Sequence, residues 1–247
     1  MSFYRLKSAL QRLGHWHRRR QLDLVHPASL QPVSRKFGLD RGQPIDRVYI
    51  EQFLDAQRQV IRGDCLEIEE STYTARFGAP GHVPYVLKYP GPGDGRSFGQ
   101  SDERDAQGAR IVRCDLAQPD SVPVSRFDAL ICTQTLSFIF DVRVAVASIH
   151  ALLRPGGHAL ITVSGISQIS RYDYDRWGDY WRFTDLSLRR LLSACFDESR
   201  IQVLTYGNVA AASMFLQGLA VEEVHDPGVF AYQDPDYQIV VCARVQK

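Results

Sequence analysis

This chain of 247 residues has almost no net charge, no CxxC pair, no apolar run long enough to span a bilayer and only two methionines. Its 29 Lys and Arg are balanced by 28 Asp and Glu. The whole-molecule field therefore gives no reason to expect nucleic acid as a partner, and any electrostatic signal must be local. The five cysteines, Cys65, Cys114, Cys132, Cys195 and Cys242, are odd in number and scattered. They predict reduced, buried thiols of a cytoplasmic protein rather than disulfides or zinc ligands. The seven histidines form no metal-spaced set, so no metal is implied. The first residues lack the uninterrupted apolar stretch of a signal peptide, and the chain is expected to stay inside the cell.

What is present suits one large α/β domain with an N-terminal extension. In "MSFYRLKSALQRLGHWHRRR" the residues Phe3, Leu6, Leu10 and Leu13 fall at helical spacing among six basic residues and no acid. This basic amphipathic helix has two readings: contact with an anionic membrane surface or acidic partner, or a cover laid on its own domain with a solvated basic face. Residues 26–44 read as a linker. A regular pattern begins at "PIDRVYIEQFLDAQRQVI", a helix with Pro44 near its start and Gly63 just past its end. Strands are predicted at "CLEI", "VPYVLKY", "RIVRCDL", "FDALICTQ", "GHALITVSG", "RIQVLTYG" and "YQIVVCARV". Helices lie between several of them, notably "DVRVAVASIHALL" and "TDLSLRRLLSACF", and the alternation predicts a doubly wound, mainly parallel sheet. Residues 90–109 are polar and glycine-rich, and are expected to be a long mobile loop.

Ligands of such sheets bind at the carboxyl ends of the strands. The residues there are Glu67, Ile68, Glu69 and Glu70 after the first strand, Cys114, Asp115 and Leu116 after the third, and Thr133, Gln134 and Thr135 after the fourth. After the fifth comes "ISQISRYDYDRWGDYWRFT", which concentrates aromatic rings, arginines and aspartates. Rings stack on sugars or bases, arginines hold anions, and carboxylates accept hydroxyl protons. A loop stapled to the surface by ring and cation contacts would have the same composition.

The order of elements, with "CLEI" first, Asp115 after the third strand and "LLRPGGHALITVSG" running into the fifth, resembles the class I S-adenosylmethionine-dependent methyltransferases. More narrowly, "PIDRVYIEQFL", "STYTARFG", "TQTLSFIFD" and "ISQISRYDYDRWGDYWRFT" resemble a bacterial group associated with polysaccharide-forming glycosyltransferases. The likeness covers about residues 36–247. It implies a Rossmann-like, seven-stranded sheet with an antiparallel last strand, in a methyltransferase-like domain of residues 37–247 preceded by a helix and linker at 1–36. It also implies methyl transfer from S-adenosylmethionine to a hydroxyl of a glycan or sugar-linked acceptor, in the cytoplasm, beside a glycosyltransferase partner. If residues 1–20 take their membrane role, the chain would lie peripheral to the inner membrane.

Residue by residue, the resemblance places Glu67, Ile68, Glu69, Tyr73, Asp115, Leu116, Thr133, Gln134 and Thr135 around the cofactor. Asp173 or Asp179 would serve as base, with Tyr172, Arg176, Trp177, Tyr180, Trp181 and Arg182 on the acceptor; a salt bridge to a neighbouring arginine is the other reading of each aspartate. Two positions depart from the family pattern. Glu69 stands where the first turn has glycine, and the second strand ends without the acid that holds the ribose hydroxyls. Those departures keep a second reading open, a domain that has lost cofactor binding and serves as a binding or scaffolding module. A nicotinamide-dependent oxidoreductase is disfavoured, because GxGxxG is absent from the first strand turn.

Overall fold

A computed structural model describes residues 30–91 and 97–247. The helix expected over residues 1–20 lies outside the described residues. Val33–Lys247 form one compact unit.

The first helix, α1 (Ile45–Ala56), begins one residue after Pro44, where the missing N–H of proline costs nothing, and buries Ile45, Tyr49, Ile50, Phe53 and Leu54 on one stripe. Next come β1 (Asp64–Ile68), the short α2 (Thr72–Phe77) and β2 (Val83–Lys88). They are followed by β3 (Gly99–Arg104), β4 (Arg110–Arg113), β5 (Phe127–Thr133), α3 (Val142–Leu152) and β6 (Leu153–Ser164). The chain closes with α4 (Arg171–Tyr174), α5 (Asp185–Leu192), β7 (Ile201–Tyr206), α6 (Val209–Gln217) and β8 (Val240–Gln246). The sheet order is β3-β4-β2-β1-β5-β6-β8-β7. The last strand runs antiparallel to both β6 and β7, as expected.

The central strands are apolar on both faces, which is why they read as near-continuous hydrophobic runs. Alternate residues point to opposite layers. Leu130, Cys132, Ile161 and Val163 join the core under α3 and α5, whereas Ala129, Ile131, Leu160 and Cys242 join the one under α1 and α6. Four cysteines are buried and Cys195 is half-buried; all are free thiols. Polar termini are capped locally. Asp141 accepts from Val144 N ahead of α3, Asn208 accepts from Ala211 N ahead of α6, and Thr184 and Ser187 form a capping box on α5. Among the described residues no helix is long and apolar enough to cross a membrane.

The sheet has eight strands, not seven, and the eighth comes from the segment expected to be a loop. Residues 99–104 form β3, antiparallel to β4, with Gly99 opposite Arg113 and Arg104 opposite Arg110. An edge strand needs one partner and no buried face, so "GQSDER" shows no apolar alternation. Its turn is set by Asp105, whose carboxylate accepts from Gln107 N and Ala109 N. The hairpin takes the place of a crossover helix, and the β4–β5 connection carries only a 3₁₀ turn at Pro119–Ser121. A cavity of about 610 Å³ is left there, lined by Phe98, Val112, Ser121, Val122 and Phe127.

Phe53 is fully buried on α1. Phe53→Ala is expected to lower the unfolding free energy by about 3–5 kcal/mol, read as an earlier urea midpoint with an unchanged slope.

Candidate active site

From β1 the chain moves outward to β2 and β4; from β5 it moves the other way to β6. β1 and β5 lie side by side, so the strand order reverses between their carboxyl ends, the place where sheets of this kind bind ligands. Both turns that leave these strands hold a non-glycine residue in the left-handed region, Glu69 at φ 68° and Gln134 at φ 53°. Each costs roughly 1–2 kcal/mol relative to an ordinary conformation. Such strain persists where surrounding contacts over-determine it, and it gathers at ligand sites.

At Glu69 the contacts are explicit. Its N–H donates to Leu87 O at 2.9 Å, and its carbonyl accepts from Lys88 Nζ. Its carboxylate turns to the end of β2, with Oε2 3.3 Å from Lys88 Nζ and Oε1 3.4 Å from Tyr89 N. Gln134 is held through its N–H to Thr162 O at 2.8 Å and through Ser164 Oγ, which donates to its Oε1 at 2.6 Å. Its Nε2 is buried with no partner.

Glu67, at the end of β1, is 3% exposed. Its carboxylate accepts from Tyr73 N at 3.0 Å and Thr74 N at 2.6 Å, in the first turn of α2. It thus caps a helix for which Ser71, the residue in the capping position, supplies no side-chain bond. Ser71 instead donates to Asp105 Oδ2 at 2.5 Å, which ties this loop to the β3–β4 hairpin. Burial pushes the Glu67 carboxyl up to about 7, against the lowering effect of the two N–H donors. Tyr73 stacks on Phe77, with its hydroxyl 3.4 Å from Arg47 Nη1. Ile68 is partly buried against the core.

Asp115 accepts from Ala117 N at 2.8 Å and Gln118 Nε2 at 3.1 Å, and Leu116 is buried in the core. Thr133 and Thr135 bracket Gln134, with Thr135 Oγ1 donating to Thr133 O. Between these strand ends stands Tyr89, with its ring edge-on to Trp177 at 5.6 Å between centroids. Burial and the charge of Asp115 raise its hydroxyl pKa.

A small cavity of about 110 Å³ opens at the ends of β5 and β6. Asp46, Gln134, Ser137 and Asp179 line it. Asp46 Oδ1 and Ser137 Oγ are buried without partners, like Gln134 Nε2, and burial raises the Asp46 carboxyl pKa. An acceptor, a donor and a hydroxyl are thus left unsatisfied in residues that line one cavity.

The aromatic segment after β6 is pinned over these strand ends by backbone bonds, Tyr180 N and Trp181 N to Ser137 O and Phe183 N to Ser164 O. Trp181 Nε1 donates to Ile139 O and Phe140 O, and Tyr180 meets Phe140 at 5.3 Å. Tyr172, Trp177, Tyr180 and Trp181 all keep exposed ring surface, and Arg176 lies over the Tyr172 ring at 3.6 Å. Asp179 is tied to Arg182, at 2.5 and 2.9 Å, and accepts from Ser170 N at 3.0 Å; the net effect holds its pKa below the usual carboxylate value. Asp173 accepts from Ser170 Oγ at 2.5 Å.

The structure thus brings Glu69, Asp115, Gln134 and the aromatic segment to one end of the sheet. It uses Glu67 and Leu116 in shaping that end rather than lining it. Sequence reasoning passed over Tyr89 and Asp46. An acid in the first turn of a helix is an ordinary complement to the helix dipole, so nothing singled out Asp46.

Residues 96–161 match a family described as a methyltransferase domain. No curated protein matches in sequence. Among solved structures, N-methyltransferase NodS from Bradyrhizobium japonicum, in complex with S-adenosyl-L-homocysteine, is 16% identical, with 87% of this chain and 96% of that one covered and a TM-score of 0.49. An S-adenosylmethionine-dependent methyltransferase from Mesorhizobium loti is 13% identical over 85% of this chain and 100% of that one, with a TM-score of 0.48. The [4+2]-cyclase SpnF is 16% identical over 90% of this chain and 89% of that one, with a TM-score of 0.49. At such identities the chemistry has to be argued from the residues themselves.

With its folded pKa near 7 and an ordinary value of 4.5, Glu67 holds a proton in the folded chain that the unfolded chain has already lost between those values. The stability it contributes is complete below pH 4.5 and is lost as pH rises through about 7. Thermal midpoints of Glu67→Gln are expected to lose the part of the decline over this window that the wild type shows.

Proposed function

We propose that the protein is an enzyme that transfers the methyl group of S-adenosylmethionine to a hydroxyl of a glycan or sugar-linked acceptor. The observation that carries this reading is the pair of strained turns at Glu69 and Gln134 on either side of the strand reversal, in a chain whose residues 96–161 match a methyltransferase domain. When bound, S-adenosylmethionine supplies an electrophilic methyl on a sulfonium, with a thioether as leaving group. The residues fit such a group: Glu69 and Asp115 offer carboxylates to a cation and to hydroxyl or amino donors, Tyr89 offers a ring, and Gln134 Nε2 is a donor in want of an acceptor.

In this reading Glu67 and Tyr73 hold the loop that frames the site, Asp115 and Tyr89 flank the base, and Thr133, Gln134 and Thr135 flank the methyl group. The chain positions the acceptor oxygen for in-line attack. The hydroxyl proton then passes to a carboxylate. Asp46, which lines the cavity and has one oxygen without a hydrogen-bond partner, is the carboxylate we assign to this role, since Asp173 and Asp179 already hold Ser170 and Arg182. The exposed rings of Tyr172, Trp177, Tyr180 and Trp181 support a sugar as acceptor, since pyranose faces stack on aromatic faces, and Arg176 supports an anionic group beside it. A cytoplasmic site of action, with a glycosyltransferase as partner, belongs to the same proposal. The second reading, a binding or scaffolding module without catalysis, is favoured by the glutamate at position 69.

Calorimetric titration of the full chain with S-adenosylmethionine and S-adenosylhomocysteine separates the two: affinity in the micromolar range is expected, and no heat for either at millimolar ligand would leave only the binding module. With acceptor present, Asp46→Asn is expected to slow methyl transfer by about a hundredfold or more while leaving cofactor affinity unchanged. A parallel loss of cofactor affinity would move Asp46 to the cofactor side of the site.

A further inference from the structure

We infer that Glu69 holds the ribose hydroxyls of the bound nucleoside, supplying from the β1 turn the carboxylate that the end of β2 lacks. The inference rests on the nucleoside cofactor of the proposed function and names one contact within it. In doubly wound sheets that bind nucleotides, an acid beyond the first turn accepts hydrogen bonds from the ribose hydroxyls. The end of β2 reads "VLKYPG" and contains no acid.

The geometry puts a carboxylate there nonetheless. The left-handed turn at Glu69 directs its side chain across to the neighbouring strand, within 3.4 Å of Tyr89 N and 3.3 Å of Lys88 Nζ. Those two groups belong to the last residue of β2 and the one after it. A carboxylate can accept about four hydrogen bonds, so these two long contacts leave room for a vicinal diol. With 58% of its side chain exposed, Glu69 is open to a ligand. The backbone bonds to Leu87 and Lys88 hold the left-handed turn, and the exposed ion pair with Lys88 is weak enough to leave the carboxylate available to a ligand.

The neighbours agree on the direction. Moving from the reversal toward the sheet edge, Glu69 on the β1 turn is followed by Tyr89 at the end of β2 and Asp115 at the end of β4. Tyr89 keeps about a third of its surface exposed, and its hydroxyl feels the Asp115 charge. A ribose on Glu69 would therefore set its base beside an aromatic ring, with a carboxylate beyond for the base's amino group.

The test is calorimetry of the full chain with S-adenosylhomocysteine and with its analogue lacking both ribose hydroxyls. The wild type is expected to favour S-adenosylhomocysteine by roughly ten- to a hundredfold. Glu69→Gly should lose that preference by weakening S-adenosylhomocysteine alone, with a thermal midpoint no lower than wild type, because glycine suits this φ. Glu69→Gln should lose part of it. Undiminished preference in both variants, or tighter binding of S-adenosylhomocysteine by Glu69→Gly, would overturn the inference and make Glu69 an obstacle in the place of a glycine. Failure of the wild type to bind either compound would instead overturn the proposed function, and this contact with it.

Discussion

The reversal of strand order between β1 and β5 is the constraint on which the rest of the site depends. Two adjacent parallel strands whose connections leave in opposite directions cannot share a covering loop at their carboxyl ends. Each must turn away sharply, and here both do so through non-glycine residues with positive φ. Every group of chemical interest lies within a strand or two of that reversal. On one side are the Glu69 turn, Tyr89 and Asp115; on the other are Gln134, the small cavity and the aromatic segment.

Buried polar bonds fix the loops that leave these strands. Glu67 carries a carboxylate into the sheet and spends both oxygens on the start of α2, so the loop after β1 has one conformation to adopt. The hydroxyl of Ser71 extends that bond set to Asp105 in the hairpin turn. The β3–β4 hairpin and the first turn are thus linked by a side-chain hydrogen bond spanning 34 residues of sequence. On the far side, Ser137 and Ser164 carbonyls anchor the aromatic segment by its backbone, burying Phe183 and leaving the tyrosine and tryptophan rings exposed.

The core of the fold was legible because burial on both faces leaves a mark in sequence: all the strands with apolar runs were found, and the helices over them start at a capping side chain or, for α1, just after Pro44. β3 was not legible, since a paired edge strand can be entirely polar. The site was legible in part. Glu69 was seen as the wrong residue for its turn, and its positive φ follows from the position it occupies. What could not be read was where its carboxylate goes, because that depends on the spacing of β1 and β2 rather than on neighbours in the chain. Asp46 was hidden for a similar reason: it lies roughly ninety residues from Gln134 and Ser137 in sequence, and only the folding of α1 brings it to their cavity.

β3 has a consequence for the molecule as a whole. A parallel sheet ending in β4 would present an open row of backbone donors and acceptors to any passing strand. Here the final rail is short and carries Asp102, Glu103 and Arg104 in sequence, and Glu103 reaches back to the buried Arg113 at 2.6 Å. A second copy approaching that rail would meet charges of both signs. The hairpin that replaced a helix therefore also terminates the sheet, and favours a chain that stays separate from its own copies at that edge.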